Sequence, residues 1–518
     1  MNKQEEMSET KGWKSLFSPN VVLMIDLFFV VLLVGAGALF LRYPEGDIIE
    51  HIHASFLVSQ GKVPYVDFFE HHNPLMWYLF SPVVELFFGD IRVFGAVAFI
   101  TYLVFLVGLW FLYKIIVEFL GDKTAGLLSV IVILLPGVWL YYLYFKPDNY
   151  MLVMLVIGIY YLFSYMRDML RKDLIISFTS FGISFLFLQK VLLFVPSIGL
   201  VVLYLLYKKQ MKLKDFLIAT VFLLATVGLG VLWLIYEGCF DIYLKSSFEF
   251  NRQLVKHIGE YGILNPTDTD KFVFYMGICF GAFLCCFKDK YFRIWYFISV
   301  TNLACKLFYF SPHLYYFYEA YFFVTVLMMV SIVEMAKKNK LLLWVFIAYL
   351  QVYAGIILYY ILFDLFVAKD KDFHKWLVSQ TNRCDYVFTS SSNGNLFYKD
   401  LGYYWFLRGQ LDVVGEKTGI AVRDDYNKLI EEKLPKVMVV YDVYDRYKKF
   451  EGIDEVIHKF DWDMIYRYYD RISEDEENVF NKEDYVVVKG GLFKLKKEFE
   501  KTNCQYNEDK KEWLYEEN

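Results

Sequence analysis

The feature that most limits this chain is a series of apolar runs with few or no charges. Each approaches the ~20 residues a helix needs to cross the hydrocarbon core of a bilayer. They fall at 21–41, 92–113, 125–144, 149–166, 174–189, 191–207, 215–236, 272–287, 294–310, 314–336 and 341–366. A soluble domain would have to bury every such run on all sides. With 57% apolar and 20% aromatic residues, too little polar surface remains to do so. The chain reads as an α-helical polytopic membrane protein with about eleven spans.

Basic residues orient these spans. Arg167/Arg171/Lys172, Lys208/Lys209/Lys212/Lys214, Lys288/Lys290/Arg293 and Lys337/Lys338/Lys340 should share the cytoplasmic side. They do so if the N-terminus is inside, the C-terminus is outside, and 174–207 is two spans rather than one bent span. The expected organisation is a cytoplasmic N-terminus (1–18), a transmembrane domain (19–367) whose first outer loop is 42–91, and an extracytoplasmic tail (368–518). The first apolar run reads as an uncleaved anchor. The run 75–88 is too short for an ordinary span and is expected as an interfacial or re-entrant helix.

From about Lys369 charges appear throughout. Tyr386–Thr389, Val437–Tyr441 and Tyr485–Val488 read as strands, and Asp424–Lys433 and Asp454–Phe460 as helices. Gly490-Gly491 suggests a hairpin turn, and the Glu/Lys-rich end is expected to fray. This is a small C-terminal α/β domain. The seven cysteines show no zinc spacing, and Cys384 and Cys504 are free to pair if the tail is exported. A net charge of −5 gives no reason to expect a nucleic-acid partner.

The first outer loop carries what a lipid-facing segment avoids. Glu45, Asp47, Glu50, His51, His53, Asp67, Glu70, His71 and His72 crowd into it. At roughly 2.5–3.5 kcal/mol for each charge placed in lipid, this segment must be wet or must line a cavity. Ile48, Ile49, Ile52, Phe56 and Leu57 recur at helical spacing, predicting a helix over Ile48–Ser59 that Gly61 ends. His51 and His53 differ by two and so fall on different helix faces. His71 and His72 could serve as ligands in an extended segment. A divalent metal is the one cofactor these residues suggest, and none is certain.

Asp47, then Ala54 seven residues on, then GKVPYVDFFEHHNPLMWYL, resembles the GT-C superfamily of polyprenyl-phosphate-sugar glycosyltransferases. The likeness is to the family 39 type, with the protein O-mannosyltransferases and the lipid A aminoarabinose transferase. It continues through FKPDNYM (Lys146 to Met151), FLQKVLLFVP (Phe187 to Pro196) and SPHLYYF (Ser311 to Phe317). Here Ile48 follows Asp47, where the family most often has an Asp-Glu pair, so the second carboxylate is left open. The resemblance implies an inverting membrane glycosyltransferase in a bacterial plasma membrane. Its partners would be a polyprenyl-phosphate-linked sugar donor and a lipid, glycan or protein acceptor, on the outer face. A polytopic lipid or solute transporter is the alternative. It is disfavoured because the charge gathers at outer span ends rather than at the midplane.

Such chemistry needs a base beside the acceptor and cations beside the phosphate leaving group. Asp47 is the candidate base, against a bland role as helix N-cap. Glu50, one turn on, is a partner or a solvated face, and Glu45 is a substrate contact or part of a turn. Asp148 is implied by the resemblance as a second acidic residue, against a capping role. Lys190 interrupts an apolar run and suits a phosphate contact, against snorkelling. His313 and Tyr316 are ligand contacts or part of an aromatic interface belt. His72 is a substrate contact or a metal ligand.

Overall fold

The computed structural model describes residues 18–40, 46–135, 143–254, 277–283, 289–308, 318–367, 371–389, 396–403, 405, 425–445, 460–473, 485–501, 503–507 and 512–515. Among these, six helices are long and apolar enough to cross a membrane. They are Pro19–Leu39, Val93–Phe119, Pro147–Asp168, Gln189–Tyr207, Leu213–Tyr236 and Tyr318–Ala336. Arg171–Phe187, Lys290–Phe308 and Lys340–Val367 are further helices at expected spans. Within the expected span at 125–144 the described helix is Lys123–Leu134, after which Leu135 turns extended, and 136–142 lie outside the described residues. The expected span at 272–287 is described, as helix, only at 277–283.

The 174–207 segment is two helical pieces. Leu188 breaks them with an extended backbone (φ −158°, ψ 129°), and a 3-10 turn, Gln189–Phe194, follows. Pro196 sits in the first turn of Val195–Tyr207, where its missing N–H leaves no intrahelical bond unmade.

Small residues let the helices approach closely, as expected where lipid gives no hydrophobic drive for association. A Cβ on Gly95 would collide with the backbone oxygen of Leu39, and one on Gly158 with the Phe181 ring. Hydroxyls then satisfy the neighbouring helix: Ser177 donates to the Gly158 carbonyl and Ser184 to the Met151 carbonyl, each at 2.7 Å. These bonds tie Pro147–Asp168 to Arg171–Phe187. Because the second helix doubles back, the residues after its end return to the level of Asp148.

The basic clusters gather at the other end of the bundle. Arg167 meets Glu118 at 3.0 Å, Arg171 meets Asp215 at 2.6 Å, and Lys337 meets Asp122 at 3.7 Å. Lys212 N–H donates to Tyr165 Oη, and the Tyr291 ring, next to Lys290, lies 5.1 Å from Phe119. The described residues of all four clusters thus share one end, as the charge argument requires.

The first outer loop forms a helix, Gly46–Ser59, whose apolar face is fully buried at Ile49, Ile52 and Ala54. Gly61, at φ +78°, turns the chain out of it. The short run is a helix as expected, Leu75–Leu86, entered through Pro74.

The tail holds a four-stranded sheet of β1 (Val387–Thr389), β2 (Val437–Asp445), β3 (Tyr469–Ser473) and β4 (Tyr485–Leu495), in the order β1-β2-β4-β3. β1 runs parallel to β2, and the other pairs are antiparallel. Helices Tyr426–Lys433 and Trp462–Tyr468 pack on it through Ile430, Met464 and Ile465. Two expectations fail here. Gly490 and Gly491 make no turn: they lie inside β4, opposite Tyr441 and Val440. The chain end does not simply fray, since β5 (Cys504–Asn507) and β6 (Glu512–Tyr515) form a hairpin. Cys384 and Cys504 are disulfide-bonded, fastening that hairpin to the start of the domain. The helix expected at Asp454–Phe460 falls almost wholly outside the described residues.

The tail also grips the first loop. Asp400 bonds His53 Nε2 at 2.6 Å, and Arg383 pairs with Glu85 at 2.6 Å. Tyr403 accepts from Phe69 N–H through its carbonyl, and Trp405 Nε1–H donates to the Phe69 carbonyl.

Candidate active site

At the end of the bundle opposite the basic clusters, four pieces of chain converge: the first-loop helix, the 69–74 segment, and the neighbouring ends of two membrane helices. Pro147 sits in the first turn of its helix and forces Lys146 extended (φ −131°, ψ 146°). Lys146 Nζ stands 2.7 Å from Asp47 Oδ2. The lysine side chain is 7% exposed and the aspartate 46% exposed. A buried cation therefore faces a carboxylate open on one side. Desolvation alone would raise the Asp47 pKa. The Lys146 ammonium outweighs it and holds the carboxyl well below the usual range.

A second pair stands beside the first. Lys190 Nζ meets Asp148 Oδ1 at 2.7 Å. Lys190 lies in the 3-10 turn after the Leu188 break and Asp148 in the first turn of Pro147–Asp168. The cation is therefore compensated inside the chain. Asp148 is not the cap of its helix, a position Lys146 occupies, and Asp47 lies inside the first turn of Gly46–Ser59.

Behind these pairs sits a buried cluster. His72 Nδ1 and His71 Nε2 lie 3.3 and 3.8 Å from the same Glu50 oxygen, and Glu70 Oε2 is 3.7 Å from His72 Nδ1. Burial pushes Glu50 up to about 8 and Glu70 well above the carboxylate range; in Glu70 the neighbouring Glu50 adds to it. Burial also lowers His71 to about 3 and His72 to about 4. His51 falls well below its ordinary value, through burial and then His72. Trp77 Nε1–H donates to His51 Nδ1 at 3.3 Å, which requires a neutral imidazole with its lone pair there.

The structure thus brings together Asp47, Glu50, Asp148, Lys190 and His72. Glu45, His313 and Tyr316 lie outside the described residues. His51 and His53 face apart as expected, one into the cluster and the other toward Asp400. Sequence reasoning missed Lys146, Glu70 and Asn251 as parts of the site. Lys146 had a signal, a lysine before Pro-Asp at a span's outer end. Asn251 had none, since it reaches His71 across 180 residues.

The described residues thus form a helical bundle with an outer-loop carboxylate helix, two lysine–carboxylate pairs at one end and an α/β tail. Residues 71–236 match the family described as dolichyl-phosphate-mannose-protein mannosyltransferase. Among solved structures the chain is similar to ArnT from Cupriavidus metallidurans bound to undecaprenyl phosphate. The TM-score is 0.58 at 12% identity, over 92% of this chain and 97% of that one. No curated protein matches. The family match covers about a third of the chain, and the structural likeness extends the same fold over nearly all of it.

Proposed function

We propose that this protein is a glycosyltransferase. It moves a sugar from a polyprenyl-phosphate donor to a lipid, glycan or protein acceptor on the outer face of a bacterial plasma membrane. The observation that carries this reading is the Asp47–Lys146 pair: a half-exposed carboxylate kept ionised by a buried ammonium. A second cation, Lys190, stands in the same charged group. The donor's lipid chain would lie against the apolar helices, with its phosphate near Lys146 and Lys190. The acceptor oxygen or nitrogen attacks the anomeric carbon and loses its proton to Asp47 Oδ. The bond from that carbon to the phosphate oxygen breaks with its electrons on the phosphate. The attack comes from the side opposite the leaving group, so configuration inverts. The departing phosphate gains a negative charge, so the lysines help most where the bond is breaking.

Two observations support the outward orientation. The described residues of all four basic clusters lie at the far end of the bundle, as a cytoplasmic face requires. The tail carries a disulfide, which persists in oxidising compartments. The test is purified protein in liposomes given a polyprenyl-phosphate donor with a labelled sugar. Label leaving the lipid for a glycan, lipid or peptide acceptor supports the reading. Donor crossing the bilayer with its sugar still attached overturns it in favour of a transporter.

A further inference from the structure

We propose that the flank formed by the helices Pro19–Phe40 and Lys340–Val367 docks a transmembrane helix of another membrane protein, one that sets a basic side chain against Asp26. The proposal is independent of the transfer reaction and of the site that carries it.

It begins with where Asp26 stands. On the six helices long and apolar enough to cross a membrane, the other carboxylates are Glu118, Asp148, Asp168, Asp215, Glu319 and Glu334. Each lies in the first or last turn of its helix, within reach of interfacial water. Asp26 does not. Asn20 accepts from Thr124 at 2.8 Å, next to Asp122 and its Lys337 partner, so this helix starts at the basic end. At ~1.5 Å per residue Asp26 stands about 10 Å past Pro19, inside a hydrocarbon core ~30 Å thick. Its side chain is too short to snorkel back to the surface as a lysine would. A charge held there against lipid costs roughly 2.5–3.5 kcal/mol on the insertion scale, and such residues pair or face an interior.

Asp26 does neither fully. It is half-buried, beside the exposed stripe Met24, Ile25, Phe28, Phe29 and Leu32 of its own helix. Across from it is Gln351, whose Nε2 lies 3.2 Å from Oδ1 and 3.1 Å from Oδ2. An amide supplies a dipole and no charge, and Gln351 is itself exposed. One nitrogen shared by both oxygens leaves most of the acceptor capacity of the carboxylate unused among the described residues.

Whatever answers it from the lipid side must bring a cation and must satisfy its own backbone in hydrocarbon. A helix with a lysine or arginine does both. The surface suits a helix. Ala348 and Gly355 lie one turn either side of Gln351 and are exposed, and a Cβ on Gly355 would meet nothing within 4 Å. Small residues of this kind let a second backbone approach closely. A second copy of this chain fits less well. Its basic residue at comparable depth is Lys114, about 8 Å from the basic end of its helix. Lys114 is already engaged: Glu118 lies 3.3 Å away, and the ammonium sits 4.4 Å over the Tyr160 ring. The partner is therefore a different protein, whose cation lies about a third of the way across from the basic end.

The experiment puts the full-length protein, labelled with a fluorescent donor, into liposomes with acceptor-labelled, leucine-rich transmembrane peptides. One peptide carries a single lysine at the depth of Asp26, and the other carries leucine there. Energy transfer is read against the peptide-to-lipid ratio. The lysine peptide should half-saturate wild type at a density at least about fivefold lower, the effect of one polar contact between helices in lipid. That comparison needs no variant to fold. Asp26→Asn keeps a bond to Gln351 and loses the charge, and Asp26→Leu loses both. Each should bring the two peptides level and leave sugar transfer unchanged. Equal association of the two peptides with wild type overturns the proposal, as does a lysine preference that survives both variants. Self-association of wild type that disappears in Asp26→Leu overturns it in favour of a second copy.

Discussion

Replacing Lys146 with Met keeps most of the apolar stem and removes the charge that holds Asp47 ionised. The two charged groups approach to 2.7 Å. At an effective dielectric of ~20, unit charges ~4 Å apart attract by about 4 kcal/mol, an upper bound here. Asp47 is 46% exposed, so solvent screens the pair. A figure of about 1 kcal/mol is more realistic. At 1.36 kcal/mol per unit, the Asp47 pKa in Lys146→Met should rise by about one unit. Desolvation, no longer opposed by Lys146, pushes the same way. The assay is the pH profile of kcat/KM for sugar transfer in liposomes, whose acid limb reports a base that must be ionised. The limb should move up by about one pH unit, whatever happens to its height. The linked stability effect has a definite sign. A carboxyl with a lowered folded pKa contributes stability above its unfolded value of 3.8 and loses it as pH falls through the folded value. The variant should be less stable than wild type at neutral pH, with the gap closing in acid. An acid limb at the wild-type position would refute the claim that Lys146 sets the ionisation of Asp47.

Further outcomes follow from the same geometry. Lys190→Met leaves Asp148 without its partner and should lower both thermal stability and turnover. Adding Asp148→Asn should recover stability but not turnover, which separates a structural pair from a phosphate contact. Protease added to right-side-out vesicles should cut the tail beyond Lys369 and spare the Lys208–Lys214 loop; the reverse pattern would invert the orientation. Gly95→Val drives a side chain into the Leu39 backbone oxygen and should cost about 1–3 kcal/mol in thermal unfolding, with no change in the pH profile.

Most of the helical frame was legible because lipid simplifies the code. An apolar run of the right length has few alternatives to a helix, and basic residues mark one side. The first-loop helix was legible too, since Ile48, Ile49, Ile52 and Phe56 share a face and Gly61 stops the turn. The tail was harder. Gly490-Gly491 has the local chemistry of a turn, yet β2 offers both glycines partners within a ladder that runs along most of β4, and the ladder wins. The final hairpin was hidden because its polar sequence is held by a disulfide rather than by a core of its own.

The site was legible as a list of charged residues and not as pairs. Nothing in the sequence says that Lys146 answers Asp47, or that Lys190 answers Asp148. Those partnerships arise because one helix doubles back on another and Leu188 breaks the second at the level of the first's beginning. Asn251 and Asp400 reach the first loop from distant segments, where no local pattern could announce them.

The measurement closest to the central claim is transfer by Asp47→Asn. The amide keeps the size of the carboxylate but cannot accept the acceptor's proton. Purified wild type and variant would be compared for movement of labelled sugar off the polyprenyl phosphate, with donor binding measured on the same preparations. The account predicts turnover at least ~10²-fold lower in a variant that still folds and binds donor. Wild-type turnover in a folded Asp47→Asn protein would contradict it and remove Asp47 as the base.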